Sequence, residues 1–168
     1  MSKYDLEVSA ECRIARPIDI VRAHFLDFHH HIARDVHKGI RYTVLGTEGN
    51  KQRVRSEFKV LGMPKVDELL VYEEGGSVIQ DFVKGDFAGG VLRVDFEVVE
   101  PALTALRAEI KAPLRGLNKL LAPVIRRMVV KLTDQAIAED IHDLEMAGYE
   151  PSMLNVRPTS GAFAEARA

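Results

Sequence analysis

The sequence predicts an α+β fold. It consists of a seven-stranded, curved antiparallel sheet around a long C-terminal helix, with two short helices after the first strand. Three observations predict it. Tyr4–Ile14 alternates apolar and polar residues with a period of two, as a half-buried strand does. Six further strand-like segments follow, with connections too short for anything but antiparallel hairpins. Gly116 to Gly148 then reads as one long helix.

The elements follow in order. In the first strand Tyr4, Leu6, Val8, Ala10, Cys12 and Ile14 share the inward side, which makes Cys12 a small buried hydrophobe. Arg16-Pro17 ends it, and Pro17 and Asp19 suit the first turn of a helix. Ile18, Val21, Phe25, Phe28 and Ile32 recur at helical spacing. A break near His29–His31 divides this stretch into two short helices, and Gly39 is a natural stop. The six strands are Ile40–Gly46, Gln52–Leu61, Val66–Glu73, Ser77–Lys84, Gly89–Val99 and Leu103–Ile110. Gly- and Pro-containing turns separate them. In the last helix Pro123 marks an early kink or restart, and Gly148 with Pro151 closes it. Residues 1–150 thus form one domain, and 151–168 are expected to be a loosely ordered tail. Sheet and helix leave a space between them, which side chains fill or a ligand occupies.

Composition narrows the function classes. The 168 residues carry a net charge of −2 and have a pI near 6.3, which argues against nucleic-acid binding by a basic surface. A single cysteine excludes an intrachain disulfide framework and a multi-cysteine zinc site. No apolar stretch is long enough to span a membrane, and the first residues have no signal-peptide core, so a cytoplasmic location is expected. Five of the six histidines lie between His24 and His37.

The order of elements resembles the START-like, or SRPBCC, superfamily over about residues 3–150. Arg16-Pro17-Ile18-Asp19-Ile20-Val21 resembles the segment that opens the first helix there, and Asp27 the acidic residue that follows. The resemblance implies a helix-grip fold with a deep apolar cavity, and an aromatic, polyketide-like or lipid ligand. A narrower resemblance is to the catalytic domain of Rieske oxygenases, which holds non-haem iron with two histidines and a carboxylate. Asp27-Phe28-His29-His30 is similar to its Asp-x-x-His segment. Val36-His37-Lys38-Gly39 is similar to the second-histidine region, and Ala138-Glu139-Asp140-Ile141 to the helix carrying the carboxylate. The seven-residue gap from His30 to His37 departs from the expected five, and no Cys/His-rich Rieske domain is present. Electrons would then come from substrate, a small reductant or another protein.

The resemblance implies His30, His37 and Asp140 as ligands of Fe(II) or Zn(II), with Asp27 fixing a ligand histidine's tautomer. His29 and His31 are alternatives, since either could face the cavity. Helical phase puts Asp140 near the middle of the last helix's apolar face, among Val129, Thr133, Ala136, Ile137 and Leu144. A carboxylate buried there needs a cation, a salt bridge such as Arg126, or a hydrogen bond. Glu139 and Glu145 point toward solvent in this phase, and His24 and His142 are expected at the surface.

Between Pro113 and Thr133 the chain carries Arg115, Lys119, Arg126, Arg127 and Lys131 and no acid. That segment is either a solvated dipolar helix or a basic mouth for an acidic ligand, an anionic surface or a redox partner. Three functions stand side by side. One is a cavity protein with a mononuclear metal site acting on an apolar small molecule. The second is a non-enzymatic carrier or sensor of a lipid or aromatic ligand. The third is a metal-free polyketide cyclase, aromatase or dehydratase.

Overall fold

The computed structural model describes residues 4–151; the expected tail over 152–168 lies outside the described residues. The strands are β1 Leu6–Ile14, β2 Ile40–Glu48, β3 Lys51–Val60, β4 Met63–Glu74, β5 Ser77–Gly85, β6 Val91–Glu100 and β7 Leu103–Ala112. They form one antiparallel sheet in the order β1-β7-β6-β5-β4-β3-β2. Successive hairpins link β2 to β7, as the short turns require, and the first strand closes against the last. Bulges at Val44/Gly46 and Glu68/Leu69 interrupt the register. Bulges of this kind bend and twist strands, and so help a sheet to curl.

The helices are α1 Ile18–Leu26, α2 Phe28–Arg34, α3 Leu117–Leu120 and α4 Ala122–Glu145. α1 lies against the middle strands, α2 against β2, and α4 against β1. Pro123 sits in the first turn of α4, where its missing N–H costs nothing, so the segment restarts there rather than kinking.

Two details differ from the sequence reading and both bear on the site. The break between α1 and α2 falls at Asp27, two residues before the expected point. There the Asp27 carboxylate accepts a hydrogen bond from the His30 backbone N–H at 3.0 Å, so a new helix starts from its own N-cap. α2 then ends before Gly39, because Asp35 takes the left-handed conformation at φ 49° and serves as C-cap.

The inner face of the sheet and the helices enclose two adjoining apolar clusters. One gathers Ile14, Val21, Phe25, Phe28, Val54, Val71 and Leu144. The other gathers Leu6, Val8, Val60, Phe87, Ile125 and Val129. Between sheet and α4 remains a cavity of about 150 Å³. Phenylalanines line much of it, and its polar lining includes His31, His37, Tyr42, Ser56, Gln80 and Asp140.

A buried histidine–aspartate centre

Asp140 and Asp143 are one helical turn apart on α4 and both are buried, Asp140 only 4 % exposed. Four imidazoles converge on them from α1, α2 and the loop that leads into β2. His24 Nδ1 and His31 Nε2 each stand 3.8 Å from Asp140 Oδ1, and His37 Nε2 stands 3.3 Å from it. His31 Nε2 is 3.4 Å from His24 Nδ1. The carboxylate oxygen at the middle of this set, Asp140 Oδ1, has no hydrogen-bond partner among the described residues.

Three further carboxylates hold the outside. Asp143 Oδ2 accepts hydrogen bonds from His24 Nε2 at 2.9 Å and His30 Nε2 at 2.6 Å. His37 Nδ1 donates to Glu139 Oε2 at 3.3 Å. Asp27 Oδ2 accepts from the Tyr149 hydroxyl at 3.1 Å. The histidine–carboxylate contacts assign tautomers. With Nε2 of His24 donating to Asp143, its Nδ1 lone pair faces Asp140. With Nδ1 of His37 donating to Glu139, its Nε2 lone pair does the same.

Electrostatics follow from burial. Desolvation pushes the Asp140 carboxyl well above the ordinary carboxylate range, and the neighbouring Asp143 and Glu139 add to it. Burial lowers the His31 imidazole well below its usual value, with His24, His37 and His30 contributing repulsion. Burial also takes His24 down to about 4, against the opposing pull of Asp143. It lowers His37 as well, against Glu139. At Asp143 burial works upward, but the hydrogen bonds from His30 and His24 outweigh it and hold the carboxyl low. Without a cation, burial thus favours the uncharged forms of the inner set, whereas the imidazole hydrogen bonds favour the ionised form of Asp143.

Two groups of three have ligand atoms close enough to share one ion: His24, His31 and Asp140, and His24, His30 and Asp143. Their spacings differ. Tetrahedral ligands about 2.1 Å from an ion lie about 3.4 Å apart. The first group spans 3.4 to 3.8 Å, and His37 adds a contact of 3.3 Å to Asp140 alone. The contacts of Asp143 in the second, at 2.9 and 2.6 Å, are hydrogen-bond lengths.

The structure thus brings His37 and Asp140 together, and places His30 on Asp143 instead of Asp140. Asp27 touches no imidazole nitrogen among its hydrogen bonds; it caps α2 and receives Tyr149. His31, one of the alternatives, faces the cavity, whereas His29 is exposed. Arg126 is exposed on α4 and has no ion pair with Asp140 among the described residues. Glu139 is half-buried against His37 and Lys38 rather than solvated. His24, expected at the surface, is fully buried at 0 % exposure. Its inward direction was legible: it lies three residues after Val21 and four before Phe28, on the apolar stripe. Asp143 was legible too, at i+3 from Asp140. His142 is exposed as expected.

No family model matches the chain, and no curated protein matches it in sequence. Solved structures do match in fold. The protein TTHA0849 from Thermus thermophilus is 17% identical and superposes with a TM-score of 0.74, covering 85% of this chain and 99% of that one. A START superfamily protein from Mycobacterium smegmatis is 15% identical at a TM-score of 0.65, covering 82% and 98%. The Zhui aromatase/cyclase from Streptomyces sp. R1128 is 16% identical at 0.65, covering 84% and 97%. The chain has the START-like helix-grip fold. Within it, no helix among the described residues is long and apolar enough to cross a membrane.

Proposed function

We propose that this protein binds an apolar small molecule in its internal cavity and holds a divalent transition-metal ion at the cavity's polar end. Its ligands are His24, His31 and Asp140, with His37 beside Asp140 and held there by Glu139. One observation carries the metal reading. Three imidazole nitrogens lie within 3.8 Å of a single Asp140 oxygen that has no hydrogen-bond partner among the described residues. A buried carboxylate oxygen so surrounded is poorly satisfied by neutral imidazoles and well satisfied by a cation. The outer carboxylates fit the same reading, since a ligand imidazole normally donates its other N–H to a carboxylate.

His31, His37 and Asp140 line the cavity, so a molecule seated there meets the centre directly. Donors of nitrogen and carboxylate oxygen suit Zn(II) and Fe(II). A bound ion would supply Lewis acidity or, as iron, redox chemistry. The chain's own residues orient the ligand, exclude water by the phenylalanine lining, and hold protons at His24 Nε2 and His37 Nδ1.

The test is metal content. Untagged protein loaded anaerobically with Fe(II) or Zn(II) is expected to retain one equivalent by elemental analysis. His30→Ala is expected to keep it, and His31→Ala and Asp140→Ala to lose it. Absence of stoichiometric metal in the wild type rejects the centre. Loss in His30→Ala with retention in His31→Ala would restore the ligand set expected from sequence.

A second reading is favoured by the burial that shifts the inner groups toward their uncharged forms. A protonated Asp140 beside an unprotonated imidazole of His37, both facing the cavity, is a general acid and base pair suited to metal-free dehydration or cyclisation. Turnover by protein stripped of metal would select it.

A further inference from the structure

The cavity carries hydroxyl groups for which the centre has no use. Tyr42 on β2 and Ser56 on β3 are directly paired across the strands, and both line the cavity. Neither hydroxyl has a hydrogen-bond partner among the described residues, although Ser56 is only 4 % exposed. The Tyr42 ring packs edge-on to His37, with centroids 5.7 Å apart, so this pair adjoins the histidine–aspartate centre. Tyr42 is partly buried, so both hydroxyls are unpartnered groups that a molecule in the cavity can reach.

Size and lining restrict the rest of the ligand. The cavity measures about 150 Å³, roughly the volume known to hold one benzene-sized ring in an apolar core. Phe25, Phe28, Phe58, Phe82 and Phe87 face it, and Phe58 and Phe87 stand as a stacked pair 6.1 Å apart. Fused multi-ring scaffolds exceed this space.

We infer that the cavity selects a single-ring aromatic compound bearing an oxygen substituent, with Tyr42 and Ser56 hydrogen-bonding that oxygen beside the histidine–aspartate centre. This rests on the cavity-binding half of the proposed function and not on the metal. The phenylalanines take the ring, and the paired hydroxyls distinguish a phenol from the bare hydrocarbon. A site built to satisfy a polar substituent rejects the analogue that lacks it, because its own groups are then left unpaired.

Calorimetric titration of the full chain with phenol, benzene and 2-anthrol tests this, in metal-free and metal-loaded protein. In both, phenol is expected to bind about tenfold tighter than benzene, and 2-anthrol more weakly than phenol. Tyr42→Phe and Ser56→Ala are near-isosteric, and each is expected to cut the phenol preference several-fold, with circular dichroism confirming the fold. Equal affinity for phenol and benzene in the wild type, an unchanged preference in both variants, or tighter binding of 2-anthrol than of phenol would overturn the inference. A phenol preference that persists in protein unable to retain metal upholds it while rejecting the metal centre.

Discussion

His24 Nε2 on α1 donates to Asp143 Oδ2 on α4 across 2.9 Å, although the two residues are 119 apart in sequence. This contact fixes which nitrogen of a fully buried imidazole bears the proton. It thereby turns the other toward Asp140 and His31.

Removing that orienting bond should weaken the centre without dismantling it. Asp143→Ala is expected to lower metal affinity about 10- to 100-fold, as loss of an outer carboxylate does. Asp143→Asn should fall between it and the wild type. Competition against a chromophoric chelator measures both, and an unchanged affinity in Asp143→Ala rejects the orienting role.

Asp27 stabilises the helix break that sets the histidines. Asp27→Ala loses the N-cap bond to His30 and strands the Tyr149 hydroxyl, together about 2–4 kcal/mol. Tyr149→Phe keeps the N-cap bond but leaves the buried Asp27 Oδ2 unpaired, a smaller cost of about 1–2 kcal/mol. At about 2–4 °C per kcal/mol for a domain of this size, thermal melts should rank the two clearly. A melting temperature lower in Tyr149→Phe than in Asp27→Ala would contradict the assignment.

Asp67 lies apart from the centre, with Asp86 and Lys65 as its charged neighbours. It is fully buried; one oxygen accepts from the Phe87 N–H at 2.9 Å and the other has no partner among the described residues. Burial pushes its carboxyl up from 3.8 to about 6. The folded state therefore holds a proton that the unfolded state releases. Stability from this group is full below pH 3.8 and is lost as pH rises through about 6. About two units correspond to about 3 kcal/mol. Urea denaturation should find Asp67→Asn more stabilising, relative to wild type, at pH 8 than at pH 4; equal effects at the two pH values would reject the protonated state.

Cys12 is predicted to be inert. Burial, then Asp140 and Glu145, push its thiol up to about 11. Since the thiolate is the nucleophile, alkylation by iodoacetamide at pH 8 should run about a hundredfold slower in native than in urea-unfolded protein. Comparable rates would show the thiol to be accessible and unperturbed.

The local signals in the chain determine a good deal. Alternation in Leu6–Ile14 and in the hairpin strands specifies which side chains face inward, because a strand's period is two whatever it packs against. Helical phase alone places Asp140 on the buried side of α4. The same rule applied to His24, on the stripe between Val21 and Phe28, points it inward too, and the geometry agrees. What local pattern cannot decide is which groups meet. His24 and His31 are seven residues apart, and so are His30 and His37, so an unbroken helix offers both pairs equally. The break at Asp27 and the docking of α1 and α2 beside α4 choose between them. They bring His24, His31 and His37 to Asp140 and leave His30 to Asp143. That choice depends on contacts more than 100 residues apart in sequence, which no window along the chain contains.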